Sequence, residues 1–348
     1  MQDEIRIGLI GCGGIAQGQI AQYAAAKGGH VEAVCDIDPA ALARSAEKCG
    51  VPADRRFSDY RELLGSGLVD AVDICTPNNL HVPMALDALA AGLPYCVEKP
   101  LGVSTPECVK LAQKTKAAGL PAMICFSYRF RPAVRYAREL VDEGMLGRVV
   151  NIYAMYLKSS AYMPGRRLDW RFDREIARYG VSGDLGVHIL DLTSFLAGDL
   201  TRVIGEFGVA VPRRKRLDSE EYADVTTDDW CHFLADFSGG ASATFSITRA
   251  AYGNRNHIKV DVYGEKGALR FDLNDDTKLE ICRGEDINSF ETIEVPAEYR
   301  AGQQQCFLDL LHGSPDKYIP TIEDGVKMQR VLDAIMASGD SERWVTVR

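Results

Sequence analysis

Several things are missing from this sequence, and each absence excludes something. No apolar stretch approaches the ~20 residues that a bilayer-spanning helix needs, so none is expected. The ten cysteines include no Cys-x-x-Cys pair, which argues against structural zinc. Cys35, Cys75 and Cys125 instead sit inside apolar runs, as small buried residues do. No secretory segment precedes the first apolar run, and with the scattered thiols this leads us to expect a reduced, cytoplasmic protein without a metal. Net positive charge is lacking too. A net charge of −9 leaves no concentrated cationic face for a phosphate backbone, so no nucleic-acid partner is expected. The one basic run, Arg213-Arg214-Lys215-Arg216, is followed at once by Asp218, Glu220 and Glu221. It reads as a solvated, self-neutralising loop, with subunit contact or substrate capture as the alternative. Repeats, low-complexity tracts and long linkers are absent.

What the sequence does have is 348 residues, enough for about two domains, of which 46% are hydrophobic. Its most informative stretch comes first. The apolar run Ile5 to Ile10 meets Gly11-Cys12-Gly13-Gly14-Ile15-Ala16, and a second run, Val31 to Cys35, ends at Asp36. Between a strand and a helix, Gly11 permits a tight turn and Gly13 lets a pyrophosphate approach the backbone. Ala16 lets the helix from about Gly14 to Gly28-Gly29 sit close to the sheet. That helix start offers phosphates its amides and positive dipole end. Asp36 is placed to accept hydrogen bonds from two ribose hydroxyls and to repel a 2′-phosphate. No Arg or Lys follows it closely, so NAD is expected in preference to NADP. An ordinary glycine turn is the alternative; the flanking strands and helix favour the dinucleotide site.

The alternation continues with Val69 to Cys75 as a buried strand, Pro83 to Ala91 as a helix and Tyr95 to Val97 as a strand. Pro106 to Ala118 reads as a helix and Ala122 to Phe126 as a strand, completing an α/β, doubly wound parallel sheet. A helix from Pro132 to Glu143 follows. The later segments Val149 to Leu157, Arg202 to Val211, Asp229 to Phe237, Ala241 to Arg249, His257 to Tyr263 and Ala268 to Asp272 read as strands of a large, mostly antiparallel open sheet. The expected domains are therefore 1–127, binding the dinucleotide, and 128–348, an α+β domain for substrate and oligomerisation. The helix 321–337 is placed to pack back near the first domain, and a short strand, Trp344 to Val347, closes the chain. Ligands of such folds bind at the carboxyl ends of the parallel strands.

Two groups of residues are candidates for chemistry. Glu98-Lys99-Pro100 follows the strand Tyr95 to Val97, which puts Lys99 at a carboxyl strand end, where its ammonium can hold a substrate hydroxyl. A surface lysine in an exposed turn is the competing reading. In Asp184-Leu185-Gly186-Val187-His188-Ile189-Leu190-Asp191, helical spacing stacks Asp184 on His188 and brings Asp191 near the same side. Such a face suits acid–base work on an alcohol, the carboxylate orienting the imidazole or the substrate. Alternatively Asp184 is a helix cap. Metal binding by these two carboxylates and one imidazole lacks a further ligand, and no metal is expected.

Taken in order, these motifs resemble the glucose-fructose oxidoreductase, inositol dehydrogenase and MocA-like (Gfo/Idh/MocA) oxidoreductases over nearly the whole chain. The resemblance extends to Cys75-Thr76-Pro77-Asn78 with His81, Tyr128-Arg129-Phe130-Arg131-Pro132, Trp170-Arg171-Phe172, Gly264-Glu265-Lys266-Gly267 and Glu323-Asp324-Gly325. It implies a Rossmann domain that binds NAD through Gly11, Gly13, Gly14, Ile15, Ala16 and Asp36, with Thr76, Pro77, Asn78, His81, Glu98 and Lys99 lining the nicotinamide half. It implies catalysis by Lys99, Asp184 and His188, and substrate contact by Tyr128, Trp170 and Asp191, with Arg129 either touching ligand or packing. The activity it implies is hydride transfer between nicotinamide and a secondary alcohol of a cyclic polyol or sugar, in a homodimer or homotetramer formed through the second sheet. An NAD-dependent glycoside hydrolase using transient oxidation and a non-catalytic dinucleotide or sugar sensor are the alternatives. Arg166, Arg167 and the run at Arg213 would favour an acidic or phosphorylated sugar.

Overall fold

The computed structural model describes residues 4–348, which form two compact units. The first consists of the chain up to Phe126 together with Ala301–Val326, and the second of Ser127–Arg300 and Lys327–Arg348. The second unit is thus not the continuous stretch 128–348 read from the sequence. One reason is local: a Cβ on Gly325 would lie 2.9 Å from the side chains of Ile124 and Leu101, so the start of the helix Ile322–Ser341 belongs with the first unit's core.

The first unit is a parallel six-stranded sheet. Its strands are β1 (Ile5–Ile10), β2 (Gly29–Cys35), β3 (Arg56–Phe57), β4 (Ala71–Ile74), β5 (Tyr95–Val97) and β6 (Ala122–Ile124), in the order β3-β2-β1-β4-β5-β6. Reversal of strand order between β1 and β4 marks the crevice of a doubly wound sheet. The helix read from Pro83 begins instead at Asn78 and runs to Ala90. Pro77, in extended conformation, caps it, and Pro83 sits inside, where its ring removes one backbone donor without ending the helix. Sequence reading also passed over the helix Pro39–Cys49, although Asp38 caps it through the Ala40 amide and Gly50 closes it in the left-handed region.

The second unit is built on β7 (Val149–Leu157), β8 (Leu200–Gly208), β9 (Arg213–Lys215), β10 (Tyr222–Asp224), β11 (Trp230–Phe237), β12 (Ser242–Thr248), β13 (His257–Gly264), β14 (Gly267–Asp272), β15 (Lys278–Arg283), β16 (Glu291–Glu294) and β17 (Val345–Thr346). Nine of them form one sheet, β16-β15-β14-β13-β7-β12-β11-β8-β17, antiparallel except where β7 meets β12. Alternation sets its two faces. Ile152, Ala154, Tyr156, Phe245 and Val260 are buried, whereas Tyr153 and Leu234 are exposed on the other side. The basic run is not a loop. Arg213–Lys215 pairs with Tyr222–Asp224 as a separate ribbon, and Arg214 is buried, its guanidinium 4.4 Å from the centre of the Phe172 ring.

Beneath the first sheet's carboxyl ends lies a buried polar cluster. Asp73, fully buried, accepts from the Tyr23 hydroxyl at 2.9 Å, and the Cys96 and Cys125 sulfurs lie 3.2 Å apart. Asp73, Cys96 and Cys125 are close enough to share an ion, but burial pushes the Cys96 thiol up to about 11, which favours a protonated network. Burial likewise pushes the Asp73 carboxyl up to about 7. Because this acid's folded-state pKa is raised, its contribution to stability is complete below its unfolded value near 4 and is lost as pH rises through about 7. Denaturant midpoints should therefore fall from pH 4 to pH 7 more steeply in the wild type than in Asp73→Asn, which stays neutral; equal slopes would contradict a neutral Asp73.

Candidate functional site

In the first unit the glycine loop has the shape the sequence suggested. Gly11 has φ 93°, and a Cβ on it would lie 2.7 Å from the Cys75 carbonyl, so the turn after β1 and the end of β4 touch only because this residue is glycine. At Gly13 and Gly14 a Cβ would meet nothing within 4 Å, leaving open space before the helix Gly14–Ala25, whose start carries no side-chain cap. Ala16 is fully buried and Ile15 exposed. Asp36 accepts from the Cys12 amide at 2.6 Å and the Asp38 amide at 2.8 Å, so its carboxylate also holds the turn whose amides face that space. This combination of open cradle, uncapped helix start and fixed carboxylate fits a dinucleotide. Ile37, 89% exposed beside Asp36, offers an apolar surface that the motif reading did not single out.

The turns after β4 and β5 are tied together by His81. Its Nε2 lies 2.8 Å from the Thr76 carbonyl and its Nδ1 2.7 Å from the Pro100 carbonyl, and the residue is 1% exposed. Burial pushes its pKa down to about 4, and in the neutral form the ring's single N–H donates to one of these two carbonyls at a time. His81 therefore lies between the Thr76-Pro77-Asn78 and Lys99-Pro100 turns, both of which the resemblance assigns to the nicotinamide half. Glu98 is buried as well, accepting from Gln19 at 2.8 Å and from the Lys99 amide at 3.2 Å, with its pKa raised by burial. Lys99 is half-buried rather than a fully solvated surface lysine.

In the second unit Asp184 lies within a π-helical turn, Ser182–Gly186, that runs directly into the helix Val187–Ala197. Asp184 is not the cap that one reading of the sequence allowed. That role falls to Asp228, which no local pattern pointed to: its carboxylate accepts from the Gly180 and Ser182 amides at 2.8 and 2.9 Å. A Cβ on Gly180 would lie 2.2 Å from the Asp228 carbonyl, so this approach requires glycine. Asp184 is half-buried, with the Arg171 guanidinium 3.9 Å away and that guanidinium stacked on Trp170 at 4.2 Å. His188 is 7% exposed, and the Tyr128 ring meets it edge-on at 4.7 Å.

Asp191 stands apart from this group. Its side chain is 1% exposed, and its two oxygens accept from Arg129 Nε at 2.8 Å and Nη2 at 2.5 Å. Expected as a substrate contact, it is instead half of a buried bidentate ion pair that fixes Arg129 against the catalytic-candidate helix. Breaking such a pair from one side strands the other charge, at a cost of about 3–5 kcal/mol. Arg129→Met should accordingly lower the thermal midpoint markedly; an unchanged midpoint would return Asp191 to the list of ligand contacts.

Known proteins carry the same two-part organisation. Residues 5–126 match the model of the oxidoreductase family with an NAD-binding Rossmann fold, and residues 134–270 match the GFO/IDH/MocA C-terminal domain. A levoglucosan dehydrogenase from Pseudarthrobacter phenanthrenivorans is 26% identical, covering 90% of this chain and 88% of its own. An inositol 2-dehydrogenase from Rhizobium meliloti is 25% identical over 99% of both chains. Among solved structures, an oxidoreductase domain protein from Kribbella flavida superposes with a TM-score of 0.91 at 31% identity over the full length of both chains. With both halves of the family matched and the glycine loop, Asp36 and the His188 helix in place, the chain belongs to the Gfo/Idh/MocA oxidoreductases.

Proposed function

We propose that this protein is an NAD-dependent dehydrogenase that oxidises a secondary alcohol of an uncharged cyclic polyol or sugar. The observation that carries the reading is the pairing of an open, uncapped glycine cradle bearing Asp36 with a second unit that groups Asp184, His188 and Tyr128. The names of the relatives, levoglucosan and inositol dehydrogenases, support the substrate class. Gly13, Gly14 and the helix start would hold the pyrophosphate and Asp36 the ribose; the nicotinamide, when bound, supplies the hydride acceptor. Lys99 polarises the reacting hydroxyl, His188 takes the proton from its oxygen, and Asp184 accepts a hydrogen bond that restricts the substrate's orientation.

The arginines support an uncharged substrate. Arg166 pairs with Asp169 at 3.0 Å, Arg167 with Glu220 at 2.5 Å and Arg213 with Asp224 at 3.3 Å, so these three cations already have carboxylate partners within the protein. The open face of the nine-stranded sheet, bearing exposed Tyr153, Leu234 and Trp344, supports pairing of subunits through that sheet.

The test is reduced-nicotinamide absorbance with NAD, or separately NADP, and a panel of inositols, anhydrosugars, sugar acids and sugar phosphates. Reduction of NAD by neutral members is the expected result; preference for NADP would overturn the role of Asp36, and reduction only by charged members the substrate class. Lys99→Met should lower turnover by roughly 10²–10⁴-fold while leaving NAD affinity nearly intact, and a variant with wild-type turnover would remove Lys99 from the mechanism.

A further inference from the structure

Beside His188, three side chains close a ring of hydrogen bonds. The Tyr156 hydroxyl donates to Asn256 Oδ1 at 2.7 Å, Asn256 Nδ2 donates to the Tyr128 oxygen at 3.0 Å, and the two phenol oxygens lie 2.9 Å apart. Each phenol owns one proton. Since that of Tyr156 goes to the amide, Tyr128 is the donor across the phenol pair. Turning the Asn256 amide over reverses the circuit, and Tyr128 then donates to Oδ1 instead; in either sense its only proton stays inside the ring. Toward anything outside the ring, Tyr128 presents only a lone pair.

Tyr156 is 2% exposed and cannot reach a ligand, whereas Tyr128 is half-buried and lies edge-on to His188 at 4.7 Å. Tyr128 is therefore the ring's outlet. Burial first, and then the neighbouring Tyr128, pushes the Tyr156 phenol well above its ordinary value, which keeps the circuit protonated. Asn256, 128 residues from Tyr128 in sequence, is the member that sets the proton count.

We propose that Asn256 is a positioning residue that makes Tyr128 a pure hydrogen-bond acceptor, so that the site selects a polyol carrying a hydroxyl next to the one His188 deprotonates. A substrate hydroxyl there donates to Tyr128, and an acceptor-only group in its place faces a lone pair. The inference rests on the polyol dehydrogenase reading and deepens it by naming which substituent is read and with which polarity.

The experiment compares kcat/KM for levoglucosan and myo-inositol with that for their analogues fluorinated beside the reacting carbon, in the wild type, Asn256→Leu, Tyr156→Phe and Asn256→Asp. Fluorine's inductive effect is common to all four proteins and cancels in the comparison. An unmatched acceptor pair should give the wild type an added preference for the parent of roughly 10–100-fold. Leucine at 256 leaves the buried Tyr156 proton only the Tyr128 oxygen and so frees the Tyr128 proton, and this added preference should disappear; phenylalanine at 156 leaves Asn256 Oδ1 able to accept the Tyr128 proton and should retain it. Aspartate at 256 accepts from both tyrosines and should retain it, an outcome that general structural damage would not produce. Unchanged preference in the leucine variant, or its loss in the phenylalanine and aspartate variants as well, would overturn the proposal. In tyrosine-labelled protein, NMR should show two slowly exchanging hydroxyl protons that vanish in Asn256→Leu; their absence from the wild type would overturn the ring whatever the turnover. If the wild type oxidises neither parent polyol, the substrate class falls and this inference with it, whereas oxidation with unchanged preference removes only the role of Asn256.

Discussion

A carboxylate that accepts backbone amides fixes the turn that carries them, and this interaction recurs in both units of this protein. Asp36 is filled by the amides of Cys12 and Asp38, so the residue suited to the ribose is also the brace of the glycine turn. Asp228 is filled by the amides of Gly180 and Ser182, so the entry to the His188 helix is fixed by a side chain from a distant loop. Its neighbour Asp229 takes the Ala210 and Val211 amides, with Arg249 at 3.1 Å. Each carboxylate holds a stretch of backbone in place.

Buried polar groups at motif positions are held in the same way. His81, Glu98 and Asp191 carry functional residue types at motif positions, yet each has its polar atoms turned into the protein: His81 onto two carbonyls, Glu98 onto Gln19 and a backbone amide, Asp191 onto Arg129. Lys99, Asp184 and Tyr128 retain partial exposure. A motif therefore names a neighbourhood, within which His81, Glu98 and Asp191 have polar atoms engaged by the protein itself.

The parts legible in the sequence were those whose physics is local. The glycine loop, Asp36 and the Glu98-Lys99-Pro100 turn are contiguous, and β1, β5 and β7 show as unbroken or alternating apolar runs with the boundaries the structure has. What stayed hidden depends on distant partners. Arg214 sits in a run of four basic residues, and only the fold, by bringing up Phe172 and the Ala161 carbonyl, makes it a buried residue rather than a solvated one. Asp228 acts 46 residues from Ser182, and Asn256 joins two tyrosines that precede it by 100 residues or more. The π turn at Ser182–Gly186 leaves no mark in a spacing argument, because residues four apart share a face in either kind of turn. The helix Pro39–Cys49 is local too, with Asp38 capping its start and Gly50 closing its end.

The central claim is direct hydride transfer from a polyol carbon to nicotinamide. Its most direct test is to incubate the protein with NAD and levoglucosan or myo-inositol deuterated on carbon, and to examine the recovered cofactor by NMR. The account predicts one deuterium at nicotinamide C4. Recovery of the cofactor without deuterium while the polyol is consumed would contradict it.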